Sequence, residues 1–122
     1  MPMLDVRIVG EPSGPPAQAQ SLARRLADVA ADVMHSNPKS VWLTVEVLPL
    51  DRYAENGEQA APADLPVYIK ISRMTVDGPD VVGPEAAALT RAFAAACGRS
   101  EKAIRIFYQV LDRVSLGGNL VG

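Results

Sequence analysis

The chain has 122 residues, with 12 Lys and Arg against 14 Asp and Glu, one Cys and one His. That length suits one domain able to bury a core without staples, and a near-balanced charge with no block of one sign argues against a nucleic-acid partner. No apolar run approaches the roughly 18 residues that span a bilayer, and the start lacks the basic and apolar regions of a signal peptide, so a soluble cytoplasmic protein with no membrane partner is expected.

The chain opens MPMLDVRI. Removal of Met1 would leave Pro2 with a free secondary amine, whereas retention keeps the same nitrogen an inert amide; a proline can also simply open a strand, where no ladder donor is needed. Leu4, Val6 and Ile8 then alternate with Asp5 and Arg7, the two-residue period of a first strand. Leu22, Leu26, Val29 and Val33 step by four, three and four, which sets them in one stripe of a helix that Ser36-Asn37-Pro38 ends. A second strand follows in VWLTVEVL, where Val41, Leu43, Val45 and Val47 alternate with Trp42, Thr44 and Glu46. After the polar connection Asp51 to Asp64, VYIKIS alternates Val67, Ile69 and Ile71 with Tyr68, Lys70 and Ser72. The second helix is expected to open at Gly83-Pro84-Glu85, with proline in the first turn and the glutamate facing the positive end of the dipole, and to stop at Gly98. Its expected core contacts are Leu89, Phe93 and Ala96. In AIRIFYQVL, Ile104, Ile106, Tyr108 and Val110 alternate with Arg105, Phe107 and Gln109.

The order is βαβ twice, and a constant offset of 63 aligns the halves, with Ile8 on Ile71, Pro16 on Pro79, Leu26 on Leu89 and Val47 on Val110. An internal duplication within one domain over 1–122, as repeats 1–59 and 64–122, accounts for this. Two right-handed βαβ units give an α+β fold, a four-stranded sheet with both helices on one face. The other face would carry Asp5, Arg7, Trp42, Thr44, Glu46, Tyr68, Lys70, Arg105, Phe107 and Gln109. Its aromatic residues are costly in water at about 25 cal/mol per Å², which favours association through that face.

One Cys and one His do not make a zinc or iron–sulfur set, and no metal is expected. His35 stands at the helix end beside Asn37-Pro38, a poor place for Ser-His-Asp chemistry. Cys97 falls on the apolar side of an alanine-rich helix, as a small buried hydrophobe does.

Met-Pro leading a short strand, a helix and a second strand, and then the same unit again, resembles the tautomerase superfamily. The likeness is to the macrophage migration inhibitory factor and 5-carboxymethyl-2-hydroxymuconate isomerase types, with the first half also similar to the 4-oxalocrotonate tautomerase type. The segments that carry it are MPMLDVRI, PKSVWLTVEVLPLD, PVYIKISRM and AIRIFYQVLDRVSLGGN. The resemblance implies a homotrimer whose sheets wrap a central barrel, with a site at each subunit boundary around Pro2, no cofactor, and a small 2-oxo acid or its enol as substrate. It implies Arg105, given by a neighbouring subunit, as carboxylate anchor. It also implies Lys39 near a family lysine of the helix-to-strand turn, Met74 through its backbone N–H, Arg73 as added positive charge, and Trp42 and Phe107 as pocket walls. Pro12 stands near the place where the short tautomerases carry an arginine, which speaks against their dicarboxylate specificity, and Arg105 and Phe107 replace a tyrosine and an asparagine found in other relatives. Leu65 aligns with Pro2, and Pro66 comes one residue later, internal in either case.

Keto–enol interconversion needs a base that is neutral near pH 7 and whose conjugate acid returns the proton. A free α-amine titrates near 8, and an apolar pocket with nearby cations lowers that value. The expected activity is thus a cofactor-independent tautomerase or isomerase with Pro2 as general base and acid. The alternative is a non-catalytic trimeric small-molecule-binding protein of the same fold, with Pro2 blocked by retained Met1. A regulatory ligand-binding module of βαββαβ plan, which needs no free terminus, is a third possibility.

Overall fold

Four strands, β1 (Met3–Val9), β2 (Trp42–Leu48), β3 (Val67–Arg73) and β4 (Ile104–Val110), form one sheet in the order β2-β1-β3-β4. The structure is a computed structural model and describes residues 2–12, 21–75 and 77–121. Met1, on which the state of the Pro2 nitrogen turns, lies outside the described residues, as does Pro16. The central β1·β3 pair is antiparallel, and the outer pairs β1·β2 and β3·β4 are parallel, each closed by a crossover helix. The helices α1 (Leu22–Met34) and α2 (Pro79–Cys97) pack against each other and on the same face of the sheet.

The alternation read from the sequence supplies the core. Leu4, Val6 and Ile8 of β1 and Val67, Ile69 and Ile71 of β3 are buried against Leu26 and Ala30 of α1 and Leu89, Phe93 and Cys97 of α2. Each such large apolar side chain contributes about 1.5–3 kcal/mol relative to exposure. The helix α1 begins at Ser21, whose hydroxyl accepts the Arg24 N–H at 3.2 Å, a side-chain cap that satisfies one orphan donor. It ends at His35, in the left-handed region at φ 51°, one residue before the expected stop.

One expectation needs correction. The helix α2 opens at Pro79, not at Gly83-Pro84-Glu85, so Pro84 sits inside it. Gly78-Pro79-Asp80 offers the same grammar, proline in the first turn followed by an acid. The Asp80 carbonyl that Pro84 cannot bond lies on an exposed stretch, where water can take it. Glu85 is therefore in the second turn rather than at the dipole end. Leu89 and Phe93 lie in the core as expected, Ala96 packs against it partly buried, and Ala94 and Cys97 complete that face. The two units do not pair in identical register: Leu4 faces Leu43, whereas Val67 faces Ile104 rather than Ile106, a slip of two residues that keeps every side chain on its face.

A further element was not anticipated: a hairpin of β5 (Val114–Leu116) and β6 (Asn119–Val121), closed by Gly117-Gly118 at φ 59° and 90°. Two successive positive φ angles make the tight turn whose twist suits a hairpin, and two glycines adopt it without strain.

Candidate active site

Pro2 stands at the head of β1. Its carbonyl accepts the Trp42 N–H at 3.2 Å, so the parallel β1·β2 ladder fixes it, while the antiparallel register of Met3 with Ser72 sets it across from the end of β3. The result is a cleft of about 440 Å³ whose walls include Pro2, His35, Ser36, Arg73, Met74 and Glu85. Thus the start of β1, the end of α1, the end of β3 and the first turns of α2 meet at one corner of the fold.

Arg73 and Glu85 form an ion pair on the cleft wall, with side chains only 17% and 15% exposed. Arg73 Nη1 donates to Glu85 Oε2 at 3.1 Å, and its second amino group bonds the other carboxylate oxygen, a two-point match of guanidinium to carboxylate. The Tyr108 hydroxyl, on β4, donates to Glu85 Oε2 at 3.4 Å, and the Arg73 guanidinium carbon lies 5.6 Å from the Tyr108 ring centroid. Desolvation, and then the Glu85 charge, push the Tyr108 hydroxyl up to about 12, so it stays a neutral donor at physiological pH.

The other candidates lie elsewhere in a single protomer. Arg105 and Phe107 are on the helix-free face of the sheet. Arg105 Nη1 is 3.3 Å from the Tyr68 hydroxyl and its guanidinium lies over that ring, and Phe107 is 55% exposed. Trp42 is 41% exposed and its indole N–H donates to the Lys39 carbonyl at 3.2 Å. Lys39 itself has φ 64° and borders a surface hollow with Asp28 and Asp32 rather than the Pro2 cleft. Beside that cleft, Met74 also lines an almost wholly apolar hollow of about 320 Å³ with Met3, Trp42, Leu111, Val114 and Leu116.

Sequence reasoning missed His35, Ser36 and Glu85 as cleft neighbours of Pro2, and Tyr108 as the partner of Glu85. For the first two a signal existed, since a helix that leads back to a strand parallel to β1 must end at the edge where β2 begins, beside the start of β1. Glu85 and Tyr108 carried none, because their pairing depends on where α2 starts.

The offset of 63 also relates this corner to its counterpart at the other end of the sheet. Ser36 N–H bonds the Ala31 carbonyl as Arg99 N–H bonds that of Ala94, so Ser36 corresponds to Arg99, Pro2 to Leu65, and Arg73 and Met74 to Gly10 and Glu11. There the Arg99 guanidinium fills the space. It donates to the Leu65 carbonyl at 2.7 Å and to those of Gly10 and Glu11 at 3.1 Å, and the residue is 8% exposed. A serine in place of that arginine leaves the Pro2 corner open.

Among the described residues no three His, Cys, Asp or Glu side chains come together to hold a metal ion, and no helix is long and apolar enough to cross a membrane.

Two parallel βαβ units joined antiparallel, with both helices on one face, form a fold shared with solved fused 4-OT and MIF structures. Solved structures bear this out at low sequence identity. A fused 4-OT wild-type symmetric trimer matches with a TM-score of 0.72 at 18% identity, over 96% of this chain and 93% of its own. Pt0534 inactivated by 2-oxo-3-pentynoate matches with a TM-score of 0.72 at 16% identity, over 96% and 93%. Leishmania major MIF2 matches with a TM-score of 0.67 at 14% identity, over 99% and 97%. No family model matches the sequence, and no curated protein matches it.

Proposed function

We propose that the chain is a cofactor-independent tautomerase acting on a small 2-oxo acid or its enol, with the Pro2 nitrogen, freed by loss of Met1, as the group that carries the proton. The observation that supports this best is the position of Pro2 at the head of a central strand, on the wall of an open cleft, in this particular fold. The amine, neutral near pH 7 in such a setting, takes the proton from the enol oxygen or the carbon next to the carbonyl and returns it at the other position. The Met74 backbone N–H serves the developing oxyanion.

The cleft's own arginine is engaged by Glu85, so the substrate carboxylate needs a cation from outside the protomer. In the homotrimer that the reading requires, Arg105 of a neighbouring protomer supplies it, bidentately, and Trp42 and Phe107 leave water at the boundary. Lys39 holds the Trp42 indole through its carbonyl.

The test is ultraviolet assay of enol ketonisation by protein whose first residue is established by intact mass, beside Pro2→Ala. Turnover confined to chains that begin at Pro2 and lost in the variant supports the reading; full turnover by Met1-bearing chains refutes it.

One observation favours a second reading, a non-catalytic trimeric small-molecule-binding protein with Pro2 blocked by Met1: the arginine nearest Pro2 is already neutralised. Thermal stabilisation by oxo acids without turnover would select it.

A further inference from the structure

The Arg73–Glu85–Tyr108 cluster is not required by the fold. Across the offset of 63, Arg73 corresponds to Gly10 and Glu85 to Leu22. Tyr108 corresponds to Val45 by sequence, and to Val47 by strand pairing, since Tyr108 faces Ile71 as Val47 faces Ile8. The first unit thus builds the same junction of strand end, helix start and outer strand with one glycine and two aliphatic side chains, and with no ion pair at those positions. Both Leu22 and Val45 pack against the core there.

Burying an ion pair costs desolvation, and apolar packing of similar volume is often equal or better. A buried ion pair with a tyrosine partner that the counterpart junction does without, and whose Arg73 and Glu85 line the Pro2 cleft, is best explained by what the cleft holds. Glu85 takes both amino groups of Arg73 and is itself held by Tyr108. Asp77 lines the same cleft. The acidic charge lining it thus exceeds what Arg73 can balance, and a ligand carboxylate placed there meets no uncommitted guanidinium.

Resting on the reading that this cleft takes an oxo acid, we infer that Glu85 is the specificity-determining residue that restricts the site to monocarboxylates. A ligand's single carboxylate is held at the protomer boundary, and its other end, turned toward Arg73 and Glu85, is uncharged. Tyr108 is a positioning residue that acts through Glu85. Glutamine at position 85 keeps the shape and leaves Arg73 with its full charge. Dicarboxylates then gain a second anchor.

Binding of 2-oxobutanoate and 2-oxoglutarate is measured by calorimetry on wild type, Glu85→Gln and Tyr108→Phe, with KM for the matching enols where turnover exists. The wild type favours the monocarboxylate. Glu85→Gln shifts the ratio of affinities toward the dicarboxylate by about tenfold or more, the scale of one hydrogen bond to a charged group. Tyr108→Phe shifts it in the same direction by less, a change in selectivity that a purely structural role would not give.

Because Glu85→Gln leaves a half-buried guanidinium unpaired, the double variant Arg73→Leu/Glu85→Leu accompanies it. It removes both charges, which the first unit does without at this junction, folds, and gains no affinity for the dicarboxylate relative to the monocarboxylate. Unfolding of the double variant at room temperature, or an unchanged ratio in Glu85→Gln with both acids binding, overturns this inference alone. No binding of either acid to any of these proteins overturns the proposed function with it.

Discussion

Arg99→Met replaces the guanidinium that fills the counterpart corner by an apolar chain of similar reach. Three bonds are lost, to the Leu65, Gly10 and Glu11 carbonyls, at 2.7, 3.1 and 3.1 Å. Hydrogen bonds to a charged group are each worth about 1.5–3 kcal/mol, and carbonyls left dry cost a similar amount. Two terms reduce the sum. Burial penalises the guanidinium itself, as the lowering of Arg99's proton affinity by desolvation reflects, and Glu11 is exposed, so water can replace the arginine there. The net loss is about 3–5 kcal/mol. For a chain of this size each kcal/mol moves Tm by roughly 3–5 °C, so the midpoint should fall by about 9–25 °C. The assay is thermal and urea unfolding followed by far-ultraviolet circular dichroism, with all proteins at one concentration because association contributes to stability. Arg99→Lys should fall between the two, since an ammonium lacks the planar fork that reaches three carbonyls. A loss below about 1 kcal/mol for Arg99→Met would refute the claim that this side chain clamps the ends of β1 and β3.

Phe93, fully buried between α2 and the sheet, should cost about 3–5 kcal/mol when cut to alanine, measured by urea unfolding. Tyr108, with its hydroxyl raised from 10 to about 12, contributes stability that is whole below pH 10 and is lost as pH climbs toward 12. Tyr108→Phe should therefore flatten the alkaline fall of the unfolding midpoint. Tyr53, raised to about 12 by desolvation and the Glu55 carboxylate, remains in both proteins as an internal reference.

The sheet was legible because its strands alternate strictly. Leu4, Val6 and Ile8 could only face one way once Asp5 and Arg7 faced the other, and the same holds for Val67, Ile69 and Ile71. The start of α2 was misread because Gly78-Pro79 and Gly83-Pro84 both look like helix openings. That five-residue error hid the site's main electrostatic feature, since Glu85 reaches Arg73 only from the second turn. The β5–β6 hairpin was missed because three-residue strands show no period. Of the expected site residues, Pro2, Arg73 and Met74 come together in one protomer. Arg105, Phe107, Trp42 and Lys39 do not line that cleft, and for the first three a role in it requires association, which no single-chain pattern encodes.

Proton transfer here requires a free amine at Pro2, and the most direct measurement of that amine is intact and peptide mass after treatment with 2-oxo-3-pentynoate. An amine adds to the far alkyne carbon: the N–C bond forms at the expense of one C–C π bond, the amine proton ends on the adjacent carbon, and the whole reagent is retained. One reagent per chain, on the terminal Pro2 of protein lacking Met1, with loss of ketonisation in step, is the result predicted. Active protein that carries Met1, or labelling that spares Pro2 while activity disappears, would contradict it.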